Sequence, residues 1–146
     1  MALTTPRVQA WIYAKLTADA TLMALGSPPL STGVRVYPDT IPQGVAYPAI
    51  LFAFMTGEPV KAIGNIQIWT EMLWIVRATT VGSTAAGLEA IANRIDTLLD
   101  GASGTAGAGT IFTCAHDQER KDVQELPGGN RQHYLGRYWR IQARTS

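Results

Sequence analysis

The apolar residues change their spacing along the chain, and each change marks an element. Val8, Trp11, Ile12 and Leu16 recur at helical intervals behind Thr5, which can cap, and Pro6, which suits the first helical position. They predict a helix ending near Leu16. Asp19 then caps a second short turn carrying Leu22, Met23 and Leu25; Gly26 terminates it, and Pro28 and Pro29 block its continuation. From Arg35 to Pro48 the pattern lapses, and Pro38, Pro42 and Pro48 impose a stiff, non-helical, extended lead-in. The segment Ala49 to Phe54 that it feeds is apolar on both faces, as a central strand would be.

A polar stretch with Gly57, Glu58, Pro59, Lys61, Gly64 and Asn65 predicts a loop into the longest strand, Ile66 to Thr80. One face of that strand carries Ile66, Ile68, Met72, Trp74 and Val76; the other carries Gln67, Trp69, Glu71, Leu73, Ile75 and Arg77. The second face is amphipathic rather than polar. Helical spacing returns at Leu88, Ile91, Ile95, Leu98 and Leu99, with Ser83 or Thr84 as cap and Gly101 as stop. Residues 101–110 hold no side chain able to fix a conformation and predict a flexible Gly-rich connector. Two further strands, Thr110 to Gln118 and roughly Gln132 to Ala143, flank the charged run Asp117 to Glu125 and the turn Leu126 to Asn130, so a mobile hairpin tip is expected over about 117–130. The order predicts an α+β fold in a single domain, residues 1–146. Its core is a mostly antiparallel four-stranded sheet with helices packed on one face, the N-terminal helix plus one main crossover helix.

Helices in a chain of 146 residues can cover one face of such a sheet. Trp69, Leu73, Ile75 and Arg77 on the other therefore predict a subunit interface, unless the Gly-rich segment or an N-terminal segment folds over them. Composition points the same way. Charged residues make up 16% of the chain against the usual quarter, and hydrophobic ones 47%, so part of the surface is expected to meet protein. Net charge is +1 and the two halves are both nearly balanced, which disfavours a polyanion-binding protein. A single cysteine, Cys114, excludes an internal disulfide and suits cytoplasmic assembly. The N-terminus has no basic stretch followed by an apolar run, and no apolar stretch approaches membrane-spanning length, so neither signal peptide nor membrane association is expected.

The chemistry-bearing groups are sparse. Cys114 and His116 share a strand face beside Asp117, with His133 on the opposing strand, but Cys-x-His falls short of a four-ligand zinc set. Strand neighbours also project in parallel rather than toward one another, as a Cys–His nucleophile pair would require. Asp96 and Asp100, with Glu89 upstream, share a helix face opposite the leucine stripe and read as a solvated surface. The Gly-rich connector ends in Thr110-Ile111 and lacks the lysine of a phosphate loop. No catalytic residue, metal ligand or cofactor is expected, and the chain does not read as an enzyme. Arg131, Arg137, Arg140 and Arg144 interleave with Tyr134, Tyr138 and Trp139, a pattern that can bind single-stranded nucleic acid. The competing reading pairs these arginines with the acidic run across the hairpin.

Several of these segments together resemble one family. They are the opening helix Val8 to Leu16 followed by Asp19-Ala20 and Leu22, Arg35-Val36-Tyr37, Ile41-Pro42-Gln43-Gly44, Ala46-Tyr47-Pro48, Ile66-Gln67-Ile68-Trp69 and the helix Ala90 to Leu99. The chain resembles the tail-terminator, or tail-completion, proteins of long-tailed phages and gene transfer agents. The resemblance implies a structural assembly protein that caps the head-proximal end of a tail tube as a hexameric ring, stops tube polymerisation and offers the head–tail joining surface. Its implied partners are copies of itself, the tail tube protein and a head completion or connector protein, with DNA passing through the lumen without specific binding. It implies a place in the tail or neck of the virion after assembly in the host cytoplasm. Glu58, Lys61 and Asn65 in one polar segment and Arg120 and Lys121 in the other are the candidate tube or connector contacts. A small nucleic-acid-binding module using the C-terminal arginines is the alternative.

Overall fold

Two long hairpins, joined strand to strand, form the body of the fold. The computed structural model describes residues 5–64, 66–82, 85, 87–106 and 109–145. Its elements in chain order are α1 (Thr5–Thr17), α2 (Ala20–Met23), β1 (Val36–Pro38), β2 (Ala49–Ala62), β3 (Ile66–Gly82), α3 (Leu88–Leu99), β4 (Gly104–Ala106), β5 (Gly109–Glu125) and β6 (Arg131–Thr145). The strands make one six-stranded sheet in the order β1-β2-β3-β6-β5-β4. β1 runs parallel to β2 and every other pair is antiparallel, so the sheet is mixed.

This corrects the expected four-stranded, mostly antiparallel sheet with packed helices: the protein is predominantly sheet, six strands wide and curled. Both extra strands are three residues long and sit at the sheet edges. β1 lies within the proline segment, where Val36, Tyr37 and Pro38 pair with Ile50, Leu51 and Phe52. β4 lies within the Gly-rich connector, where residues 104–106 pair with 109–111. The other strands are longer than their apolar runs. β2 continues through the expected loop to Ala62, and β5 continues through the charged run to Glu125, so only a short 3-10 turn at Pro127–Gly129 remains between β5 and β6. Ladder pairing asks nothing of side-chain polarity once a strand leaves the core.

Bulges explain the curl. β2 carries an extra residue at Phe54/Thr56 and β5 at Ile111/Thr113 and His116/Glu119; at Val60/Lys61 the extra residue is Ile68 on β3, and the central β3–β6 pairing has no shift. An extra residue on an outer strand bends that strand against a straight centre.

One sheet face and the helices enclose the core. Val8, Trp11, Ile12 and Leu16 of α1 and Leu88, Ile91, Ile95 and Leu99 of α3 meet Ile50, Phe52, Met72, Trp74, Val76 and Ile141 in one buried cluster. Trp74 and Trp139 face each other across β3 and β6 with no exposure, and Phe52 and Phe54 stack against Trp74 at 6.3 and 5.6 Å. Asp19 caps α2 as its sequence position suggests, its Oδ2 accepting from Leu22 N at 2.8 Å. The same carboxylate accepts from Arg94 Nε at 2.8 Å and Arg94 Nη2 at 2.9 Å, tying α2 to α3. Gly87, in left-handed conformation, caps α3 without a side-chain bond, while Ser83 and Thr84 lie outside the described residues. Arg35 is 2% exposed and donates to three carbonyls, those of Pro48 at 2.9 Å, Thr32 at 2.6 Å and Pro28 at 2.5 Å. It spends its donors on backbone and so pins the proline segment to the loop after α2.

Two tests follow from this packing. A Cβ at Gly136 would overlap the Val76 carbonyl oxygen and lie 2.7 Å from Arg77 Cα. Gly136→Ala should therefore cost about 2–3 kcal/mol and shift the urea midpoint, since backbone cannot yield as a side chain can; an unchanged midpoint would contradict so close an approach. The Arg94 hydrogen bonds, opposed by desolvation and helped by the Leu22 amide, hold the Asp19 carboxyl below its usual range. The folded state then binds this proton less readily than the unfolded chain. The contribution is complete above the ordinary carboxylate value of about 3.9 and is lost as pH falls through the lower folded value. Asp19→Asn should flatten the decline in stability below about pH 4, as urea titrations at descending pH would show.

Candidate functional site

The sheet face turned away from the helices divides into a closed half and an open half. Toward the Gly82 end of β3, Ile75 is 5% exposed, set between Ala53 and Tyr138 in the register. Arg77 stacks over the Tyr134 ring at 4.4 Å and reaches Asp122 at 3.5 Å. Tyr47 of the proline segment lies near enough to act on Tyr134, whose hydroxyl pKa is raised, chiefly by burial. Toward the other end the face opens into a groove of about 330 Å³ where β2, β3, β6 and β5 pass. Leu73 lines it, with Thr56, Glu58, Glu71, Thr113, Arg140 and Gln142 around it. Of the four residues expected at an interface, Ile75 and Arg77 are committed within the chain. Trp69 and Leu73 are half-buried, and the enclosed Trp69 Nε1 has no hydrogen-bond partner. The sequence pattern found Leu73 but not Thr56 or Thr113. Seeing those as its neighbours requires the bulge positions, which shift the register of both outer strands.

The two polar segments leave the sheet at opposite ends. Glu58 pairs with Glu71 and Lys61 with Gln67, near the β2–β3 turn, whereas Arg120 and Lys121 pair with Gly136 and Leu135, which in turn face Arg77 and Ala78. The row of Lys61 and the row of Arg120 are ten β3 residues apart, roughly 30 Å along the strand. Glu58, Lys61 and Lys121 are exposed; Arg120 bonds Asp122 at 2.9 Å and the Tyr138 hydroxyl at 3.0 Å. Asn65 lies outside the described residues.

The chemical candidates are drawn apart or compensated. Cys114 is buried beside the α3 terminus, and burial, reinforced by Asp100, pushes its thiol up to about 12. His116 bonds Asp100 at 3.1 Å, while His133 pairs with Val123 far along β5 and contacts the Gly82 carbonyl at 3.2 Å. Among the described residues no three His, Cys, Asp or Glu side chains gather as metal ligands would. Asp96 is engaged by Arg137 at 2.9 and 3.0 Å. Arg140 bonds Asp117 at 2.7 Å and Arg131 approaches Glu125 at 3.9 Å, so these two do meet the acidic run. Arg144 lies over the Phe112 ring at 5.9 Å.

The sequence model of the family described as Tail completion protein gp17 matches residues 10–135. The chain belongs to this tail completion family. No curated protein matches it. Among solved structures, a chain of the "Virion of native gene transfer agent (GTA) particle" resembles it with a TM-score of 0.61, at 20% identity and over 90% of each chain. At that identity the likeness shows the fold alone. Within this tail completion protein, no helix among the described residues is long and apolar enough to cross a membrane.

Because the C-terminal arginines are largely paired, short single-stranded DNA should be retained weakly and without a steep dependence on salt. Fluorescence anisotropy across a salt series measures this. A log–log slope near −3 or steeper, equivalent to several displaced counterions, would restore the nucleic-acid-binding reading.

Proposed function

We propose that this tail completion protein is the ring subunit that closes the head-proximal end of a phage tail tube, stopping its growth and presenting the surface on which the head connector docks. Membership of the tail completion family supports a structural role in tail assembly and a place in the tail or neck of the virion. The observation that carries the finer reading is the opposed placement of the two polar hairpin ends on one rigid sheet. A terminator must present two different surfaces: one that copies a tube subunit's docking face and one that does not. A single long sheet with separate chemistry at each end supplies both. Lateral closure falls to the open half of the outer face, where Trp69 and Leu73 are the residues left for a neighbouring copy. In a hexameric ring such contacts would be heterologous, one patch against a different patch, and closed by rotation. DNA would pass through the lumen without specific contacts.

The test is electron microscopy of purified tail tubes incubated with the protein. One tube end should acquire a sixfold annulus and cease to extend; tubes that continue to grow from both ends would remove the proposal. Charge reversal then tests the end carrying Arg120 and Lys121. Arg120→Glu with Lys121→Glu should disable one of tube capping and head joining and leave the other. Loss of both steps would contradict the division of labour.

A further inference from the structure

We propose that the β2–β3 tip of one copy seats Ile63 in the groove beside Leu73 of the next copy, so that the arm and the groove are the two halves of a head-to-tail contact between identical chains. This rests on the ring reading above and names the contact that would build the ring.

The tip is built to meet something. Ile63 is 99% exposed. Among the described residues no other strand supports it there: β6 joins β3 only from Thr70 onward, and β1 leaves β2 after Phe52. The pairs from Val60–Trp69 to Ala62–Ile66 thus form a two-stranded arm, a unit of marginal stability in water. An isoleucine at its end gains only if it is covered.

The groove offers the cover. Its volume of about 330 Å³ accommodates a branched side chain beside Leu73, Ala115 and Thr113. The arm cannot fill its own groove, because β2 and β3 run from the groove into the arm as continuous paired strands that carry the tip away. Charge selects a second copy. The groove rim bears Glu58 and Glu71 together with Arg140, whose charge is met by Asp117 at 2.7 Å. The tip bears Lys61, exposed and without an ion pair among the described residues. Acidic rim and basic tip lie at different rows of one hairpin, Glu58 opposite Glu71 and Lys61 opposite Gln67, and two such different patches generate a head-to-tail contact rather than a twofold one.

Cysteine pairing in the full chain tests this directly. Ile63→Cys places a thiol on the tip and Thr56→Cys, an exposed position, places one in the groove. The native Cys114 stays silent because it is 1% exposed and its thiol titrates at about 12. Under mild oxidation an equal mixture of the two variants should give disulfide-linked dimers, and the double variant should give a ladder ending at the ring. Each single variant should stay uncross-linked. Dimers of Ile63→Cys alone, or a bond from Ile63→Cys to an added tube subunit, would overturn the proposal. Capped tubes without any tip-to-groove bond would overturn it while leaving the terminator reading intact. A ladder with uncapped tubes would uphold the contact and sink the terminator reading. A charge exchange gives an independent measure: Lys61→Glu should weaken self-association several-fold, and adding Glu58→Lys and Glu71→Lys should restore it. Failure of restoration would count against the pairing.

Discussion

The molecule depends on the pairing of β3 with β6. Thirteen consecutive rungs, Thr70–Ala143 to Gly82–Arg131, join the two hairpins without a bulge. Every other long-range feature is referred to this seam. It brings Trp74 against Trp139 at the middle of the core, and it requires glycine at 136, where the β3 backbone passes too close for a side chain. Because both strands are hairpin partners running in opposite directions, it also sends one turn out of each end of the sheet. A slip of one residue would transfer Trp74 and Trp139 to the opposite face, so burial of the two indoles fixes the register. The polarity of the proposed assembly is thus a consequence of strand direction, not of any special group.

Elements that bury a stripe were legible in the sequence. Val8, Trp11, Ile12 and Leu16, and Leu88, Ile91, Ile95 and Leu99, are buried on α1 and α3 as their spacing implies, and Asp19 caps α2. The two short edge strands were not. β4 consists of Gly104, Thr105 and Ala106, with no apolar alternation to detect, and β1, although Val36 is buried in the core, is hidden by Pro38. The outer thirds of β2 and β5 are polar because water bathes them, so composition suggested loops where pairing makes strands. The four-stranded expectation failed at β1 and β4, three-residue edge strands too short to show an alternation.

The outer face shows the same division between what alternation reveals and what register decides. Trp69, Leu73, Ile75 and Arg77 share a face by parity alone. Whether each is available depends on neighbours that parity does not supply: Tyr138 beside Ile75, Tyr134 beneath Arg77, and the proline segment approaching through Tyr47. Arg35, with its three carbonyl acceptors, governs that approach indirectly by fixing where the proline segment runs.

Open sheet edges would be the obvious route to association, and the chain resists it. Beyond Phe52 on β2 and Ile111 on β5 the outer edges have no strand partner among the described residues. Yet β2 carries Pro59 and Lys61 there, and β5 carries a bulge at His116/Glu119 with a dense run of charges from Asp117 to Asp122. These are the devices by which edges are kept from pairing with other chains. Unrestricted edge pairing would extend a sheet indefinitely, whereas an assembly that must stop requires contacts of fixed geometry. Side chains at a groove meet that requirement better than a repeating backbone ladder, since a packed isoleucine fits one position and a ladder fits any even shift. Edges defended by charge and proline, beside a face left partly apolar, therefore direct association toward the face.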